Sequence, residues 1–225
     1  MKKVKVELDQ FSPFEEMAVG KRKELEASAE KIDFKTREVL FEVGSSPDKV
    51  YLLLSGGLKA IRKAPATRTY VAEFVSPGSL IGYVDSLAGV SRTEKVVSMQ
   101  PSSALVWPAS KFLEAAESSP SGTRALIKLL AKQIKAKEDW LEEQAIENLR
   151  TRLIRLIHRL GKDFGQKSKA GTLVNLRVTH QDLADHLGAS RESVTVTISQ
   201  LRKQKVLKLD VRRIIIPDMR ALLKA

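Results

Sequence analysis

The stretch Val178-Thr-His-Gln-Asp-Leu-Ala-Asp-His-Leu-Gly-Ala-Ser-Arg-Glu-Ser-Val194 decides how the last third of this 225-residue chain folds. Thr179 is followed three residues later by Asp182, an approximate capping box that opens a helix. Leu183, Ala184 and Leu187 give that helix an apolar stripe. Gly188 ends it, because glycine enters the left-handed conformation without a Cβ clash. Ser190 then caps a second helix, from Arg191 to about Gln204, with Val194, Ile198 and Leu201 on one face. Two short helices joined by a tight glycine turn predict a helix-turn-helix. Beyond it, Val206–Leu209 and Arg213–Ile216, joined at Asp210-Val-Arg, predict a two-stranded wing. Pro217-Asp218 stops the second strand, and Met219–Lys224 predicts a closing helix.

With the apolar residues turned inward, the second helix offers Arg191, Glu192, Ser193, Thr195, Val196, Ser199 and Arg202 outward. Arginine can donate twice to a guanine edge, glutamate can accept from cytosine, and Thr or Val methyls can touch a thymine methyl. The expected base contacts are therefore Arg191, Glu192, Thr195 and Val196, and the expected phosphate contacts are Thr179, Gln181, Ser190 and Arg202. The charge distribution points the same way. Residues 1–149 carry 22 Lys and Arg against 21 Asp and Glu, whereas residues 150–225 carry 17 against 6. Nearly the whole net charge of +12 thus sits beside the motif, where it favours a polyanion, double-stranded DNA in particular. Stacking aromatics, which would favour RNA, are missing from this segment.

Upstream the periodicity changes twice. Apolar runs at Glu38–Val43, Val50–Leu54, Leu58–Arg62, Tyr70–Val75, Val96–Ser98 and Ala104–Trp107 alternate with Gly, Pro and Ser turn signals, which predicts an antiparallel sandwich or barrel. Phe14–Ala29 reads as a helical lead-in. From Ser121 the chain becomes a long helix with no glycine or proline between Gly122 and Gly161. Ile127, Leu130, Ile134 and Leu141 fall on heptad positions of a dimerisation seam interrupted by Lys137 and Gln144. The stretch Gly161–Gly171 reads as a polar loop. The expected division is a sensor over residues 1–120, a dimerisation helix over 121–147 and a DNA-binding domain over 148–225.

The residue inventory excludes several chemistries. There is no cysteine, and all three histidines (His158, His180, His186) lie beyond the β-rich part, so neither an iron–sulfur cluster nor haem is expected. His180 and His186 read as surface residues of the first motif helix. No nucleophile–base pair or acidic cluster emerges, so the protein is not expected to be an enzyme. The first twenty residues are charged and no apolar run reaches membrane-spanning length, which predicts a cytoplasmic protein without a membrane partner.

The order of parts and the stretch Val178–Val194 resemble the CRP/FNR family of bacterial transcription regulators, over about Phe11 to Ala225. The resemblance implies an α+β, two-domain fold: an N-terminal β-roll sensor (cupin-like, cyclic-nucleotide-binding-type), a long dimerisation helix and a C-terminal winged helix-turn-helix. It also implies a homodimer reading a near-palindromic operator, with RNA polymerase as a partner if the protein activates. Pro77-Gly-Ser-Leu-Ile-Gly82, followed by Arg92-Thr93, resembles the family's phosphate-binding cassette. An effector site at Gly82, Tyr83, Arg92, Thr93 and Lys137 is implied, holding a small anion; the alternative for Arg92 is a salt bridge to Asp85 or Glu94.

Tyr83 stands where the cassette has a ribose-binding glutamate, Glu94 where it has a small residue, and Lys137 near the place of a purine-facing Thr or Ser, which disfavours cyclic AMP. Tyr83 and the Arg202-Lys-Gln-Lys205 run resemble the cyanobacterial nitrogen-control branch, which senses 2-oxoglutarate. A third family base-reader falls on Val196, and the family's glycine before the wing falls on Lys205. The alternatives are constitutive activity without effector, a non-specific nucleic-acid-binding protein, and a signalling adaptor built on the roll.

Overall fold

A computed structural model describes residues 6–63, 69–210 and 213–225. Among the described residues, the N-terminal part is a roll of eight strands: β1 (Glu30–Phe34), β2 (Val39–Phe41), β3 (Lys49–Ser55), β4 (Leu58–Lys63), β5 (Thr69–Val75), β6 (Leu80–Ile81), β7 (Lys95–Ser98) and β8 (Ser102–Pro108). They form two antiparallel sheets, ordered β1-β8-β3-β6 and β2-β7-β4-β5. Val50 and Leu52 of β3 face a helical layer, while Tyr51 and Leu53 face the second sheet inside the roll. That strand is buried on both sides, which is why it reads as an unbroken apolar run.

The helical layer consists of α1 (Val19–Ser28), α3 (Ala109–Glu117) and the start of α4 (Pro120–Ile146), with the short α2 (Tyr83–Ala88) between β6 and β7. Trp107 Nε1 donates to the Leu25 carbonyl at 2.8 Å and ties α1 to β8. The predicted lead-in helix divides into a 3-10 turn at Phe14–Glu16 and α1, because Met17 is extended. The strands β1 and β6 extend the set that alternation marked.

Helix α4 ends at Glu147, whose backbone is extended, and Asn148 caps α5 (Leu149–Asp163) by accepting the Thr151 N–H at 3.0 Å. The expected polar loop at Gly161–Gly171 is corrected. Helix α5 runs to Asp163, and β9 (Gly165–Ser168) pairs with β10 (Gly171–Val174) as a hairpin. Its strand β9 is exposed throughout, so it has no apolar alternation to betray it.

The C-terminal part is completed by α6 (His180–Leu187), α7 (Arg191–Lys203), β11 (Lys208–Asp210), β12 (Arg213–Ile216) and α8 (Met219–Leu222). The wing's sheet runs β11-β12-β10-β9. The wing turn expected at Asp210-Val-Arg falls partly outside the described residues.

Sensor and reader share one core. Val71, Phe74 and Met99 of the roll cluster with Leu153, Ile157, Leu176, Leu183 and Leu187 of the reader. Gly57 permits this approach: a Cβ there would collide with Leu176 Cδ1 and stand 3.1 Å from Phe164. Gln100 Nε2 adds a hydrogen bond to the Asn175 carbonyl at 3.0 Å.

Candidate nucleic-acid interface and sensor site

The first motif helix is held by a complete capping box. Thr179 Oγ1 accepts the Asp182 N–H at 3.1 Å, and Asp182 Oδ2 accepts the Thr179 N–H at 2.9 Å and its hydroxyl at 2.6 Å. Gly188 closes the helix in the left-handed conformation at φ 63°. Ser190 caps α7 by accepting the Ser193 N–H at 3.0 Å. Val194, Ile198 and Leu201 are buried, which leaves Arg191, Glu192, Ser193, Val196, Ser199 and Arg202 exposed on the outer face. Val196 is 57% exposed.

Thr195 is half-buried. Its hydroxyl donates to the Arg191 carbonyl at 2.8 Å and accepts from His180 Nδ1 at 2.8 Å, so only its methyl remains for a partner. Burial and the nearby Arg191 charge both lower the pKa of His180. Gln181 Nε2 donates one proton to Asp185 at 2.7 Å and keeps the other. Thr179 has both its protons on Asp182, so a phosphate contact there requires that carboxylate to yield.

Asp182 also reaches across to the sensor, where sequence reasoning placed nothing. Its Oδ1 accepts from Lys59 Nζ of β4 at 2.5 Å. Burial alone would raise this carboxyl's pKa, but the hydrogen bonds from Lys59 and Thr179 outweigh it and hold the pKa below the ordinary value. His186 corrects the surface reading: it is only 9% exposed, and its Nδ1 lies 2.9 Å from the Val71 carbonyl. Its ring packs against Phe74 at 5.3 Å, and burial pushes its pKa down to about 4. Lys59 and His186 carry no sequence signal for these contacts, which depend on where the roll meets α6.

In the cassette, Arg92 turns inward and is only 2% exposed. Its Nη1 donates to the Gly82 carbonyl and its Nη2 to the Lys49 carbonyl, with Asp85 at 3.9 Å and the Phe41 ring centre 4.5 Å from the guanidinium carbon. Gly82 is at φ 81°, and a Cβ there would stand 2.6 Å from Nη1. Thr93 Oγ1 donates to Asp85 at 3.0 Å, and Glu94 is met by Arg62 Nε at 3.1 Å. The Tyr83 hydroxyl is buried without a partner among the described residues, and burial raises its pKa. Of the anion site implied at Gly82, Tyr83, Arg92, Thr93 and Lys137, the first four residues stand together in the cassette. Arg92 acts as a strut for its own loop, and Lys137 lines a separate cavity beside Glu73 that includes none of the other four.

Along α4, Ile127, Ile134 and Leu141 stand seven residues apart and are 60%, 59% and 59% exposed. Leu130 is half-buried against the helical layer of the roll.

Two family models cover both parts of this arrangement. Residues 31–119 match the cyclic nucleotide-binding domain, and residues 151–225 match the Crp-like helix-turn-helix domain. The chain belongs to the CRP/FNR family. It is a helix-turn-helix transcription regulator with a sensor of the cyclic-nucleotide-binding type. It is similar to the global nitrogen regulator of a Nostoc species, with 25% identity over 183 residues, 80% of this chain and 82% of that protein. It is also similar to the CRP-like cAMP-activated global transcriptional regulator of Mycobacterium tuberculosis, with 21% identity over 83% of this chain and 84% of that one. Among solved structures, FixK2 from Bradyrhizobium japonicum shares the fold with a TM-score of 0.77, at 19% identity over 87% of this chain and 96% of that one.

Measured against the CRP/FNR pattern, the reader departs little and the sensor departs in its chemistry. Lys205 stands where the family pattern has glycine and adopts φ 62°, the conformation a glycine would take there without strain. Tyr83 places a buried phenol in the cassette. No helix among the described residues is long and apolar enough to cross a membrane.

Proposed function

We propose that this regulator is a homodimer that reads a near-palindromic operator through α7. Arg191 and Glu192 contact base edges, and Val196 with the Thr195 methyl forms an apolar contact to thymine. Ser190, Gln181, Arg202 and, once Asp182 yields, Thr179 hold the phosphates. The observation that carries this reading is the outer face of α7: exposed, polar and cationic, on the part of the chain that holds nearly all the net charge. The seam Ile127, Ile134 and Leu141 joins the two copies, and the recognition helices then lie about 34 Å apart. The protein works in the cytoplasm, catalyses no reaction, and contacts RNA polymerase if it activates.

Selection from a random duplex pool at moderate salt tests the proposal. Enrichment of a two-fold symmetric site is expected. Uniform retention of all sequences would instead mark a non-specific nucleic-acid-binding protein.

A further inference from the structure

Roll and reader meet chiefly through apolar side chains: Val71, Phe74 and Met99 on one side, Leu176, Leu183 and Leu187 on the other. Apolar contact resists separation but is non-directional, so it defines the angle between the two parts only weakly. The backbone between them does not define it either. Helix α4 stops at Glu147, which is extended at φ -94° and ψ 146°, and α5 starts afresh at Leu149. Arg155 meets Glu147 at 2.6 Å and Arg159 meets Glu143 at 2.7 Å across this pivot, but neither pair reaches α6.

The direction of α6 is set by polar contacts with the roll. Asp182 and His186 lie four residues apart on one face of α6, roughly 6 Å along its axis. Asp182 Oδ1 accepts from Lys59 Nζ of β4 at 2.5 Å, and His186 Nδ1 stands 2.9 Å from the Val71 carbonyl of β5. Strands β4 and β5 are neighbours in one sheet, with Lys59 opposite Phe74 and Ile61 opposite Val71. Two attachments about one turn apart fix a helix in direction as well as in place. Among the described residues, Lys59–Asp182 is the one ion pair that joins roll to reader, and it is sheltered, with side chains 24% and 10% exposed. Without the cation the Asp182 carboxylate would be left uncompensated, and it could regain water only if α6 moved off β4. Its bonds to Thr179 travel with α6 and do not oppose that movement.

Helix α7 follows α6, because Leu183 and Leu187 share a core with Val194, Ile198 and Leu201. At the other end, Leu126 and Leu130 bed the start of α4 on the roll, and Ile127, Ile134 and Leu141 of the same helix stand exposed along the seam. The line from seam to recognition helix thus runs through the roll and crosses to the reader at Lys59.

We propose that Lys59 is a positioning residue that sets which half-site spacing the dimer accepts. By holding Asp182 it fixes the direction of α6 on the roll, and with it the separation and angle of the two copies of α7. Base preference within each half-site belongs to the outer face of α7 and is independent of Lys59. The inference rests on the dimeric operator reading above.

The test measures the affinity of the full chain for three duplexes: the selected operator, the same operator with one central base pair added, and the same operator with one base changed in a half-site. An added pair turns one half-site by about 34° and moves it about 3.4 Å. The wild-type chain should bind the lengthened duplex at least about tenfold more weakly than the operator. In Lys59→Met this spacing penalty should fall to about threefold or less, while the penalty for the changed base stays as in the wild type. Lys59→Arg, which keeps a cation for Asp182, should restore the wild-type spacing penalty. Each penalty is a ratio taken on one preparation, so a smaller folded fraction of a variant cancels. A Lys59→Arg chain as permissive as Lys59→Met overturns the inference, as does loss of base preference together with spacing preference, the mark of a reader disturbed as a whole. A wild-type chain that selects no two-fold site removes the operator reading and this inference with it. A selected site whose spacing Lys59→Met holds as strictly as the wild type overturns this inference alone.

Discussion

Arg191 and Arg92 are the same residue in the two places where a motif implied contact with an anion or a base. Arg191 opens α7 on an exposed face. Arg92 is folded into the roll, its two terminal nitrogens on the carbonyls of Gly82 and Lys49. The fold leaves Arg191 open to solvent and spends the terminal donors of Arg92 inside the roll.

The largest expected effect probes the buried arginine. Arg92→Met leaves two buried carbonyls and Asp85 without their cation, and should cost about 3 kcal/mol of unfolding free energy in urea titration. Operator preference should be unchanged in the folded fraction. The exposed arginine should behave in the opposite way: Arg191→Ala should cost about 1–3 kcal/mol of discrimination between operator and scrambled DNA. Its stability should hardly move. Lys167→Ala on exposed β9 should weaken binding slightly and evenly for all sequences, as loss of a phosphate contact does. Val196→Arg sharpens the contrast further, because it should shift the selected base at one position of each half-site toward guanine.

The ion pair between the two regions is a smaller lever. Lys59→Met should cost about 1 kcal/mol of stability, since Asp182 keeps its capping bonds. Asp182 has a folded pKa below its unfolded value, so its contribution is complete above the unfolded pKa and is lost as pH falls through the folded one. In Lys59→Met this acid loss should shrink, measurable as a flatter stability profile below about pH 4. The smallest effect is a gain: Lys205→Gly relieves a left-handed lysine and should stabilise by about 0.5–1 kcal/mol.

Much of this molecule is legible in its sequence. The caps Thr179, Gly188 and Ser190 and the stripes of α6 and α7 stand where the pattern placed them. Val194-Thr-Val-Thr-Ile198 shows the limit of propensity, because five β-branched residues in a row favour a strand. They are helical because Ser190 caps the segment and Val194 and Ile198 pack into the shared core. The contact of Lys59 with Asp182 was not legible, since a pair 123 residues apart leaves no local trace. Gly57 read as a turn residue, and its reason became visible only with Leu176 against it. His186 read as a surface residue because the neighbour that buries it comes from another domain.

The most direct measurement is the affinity ratio between the selected operator and a scrambled duplex, at one salt concentration, for the wild-type chain and for Arg191→Ala. The ratio should fall by about tenfold or more in the variant, with the scrambled duplex bound almost as before. An unchanged ratio, with affinity lowered equally for both duplexes, would contradict α7 as the element that reads sequence.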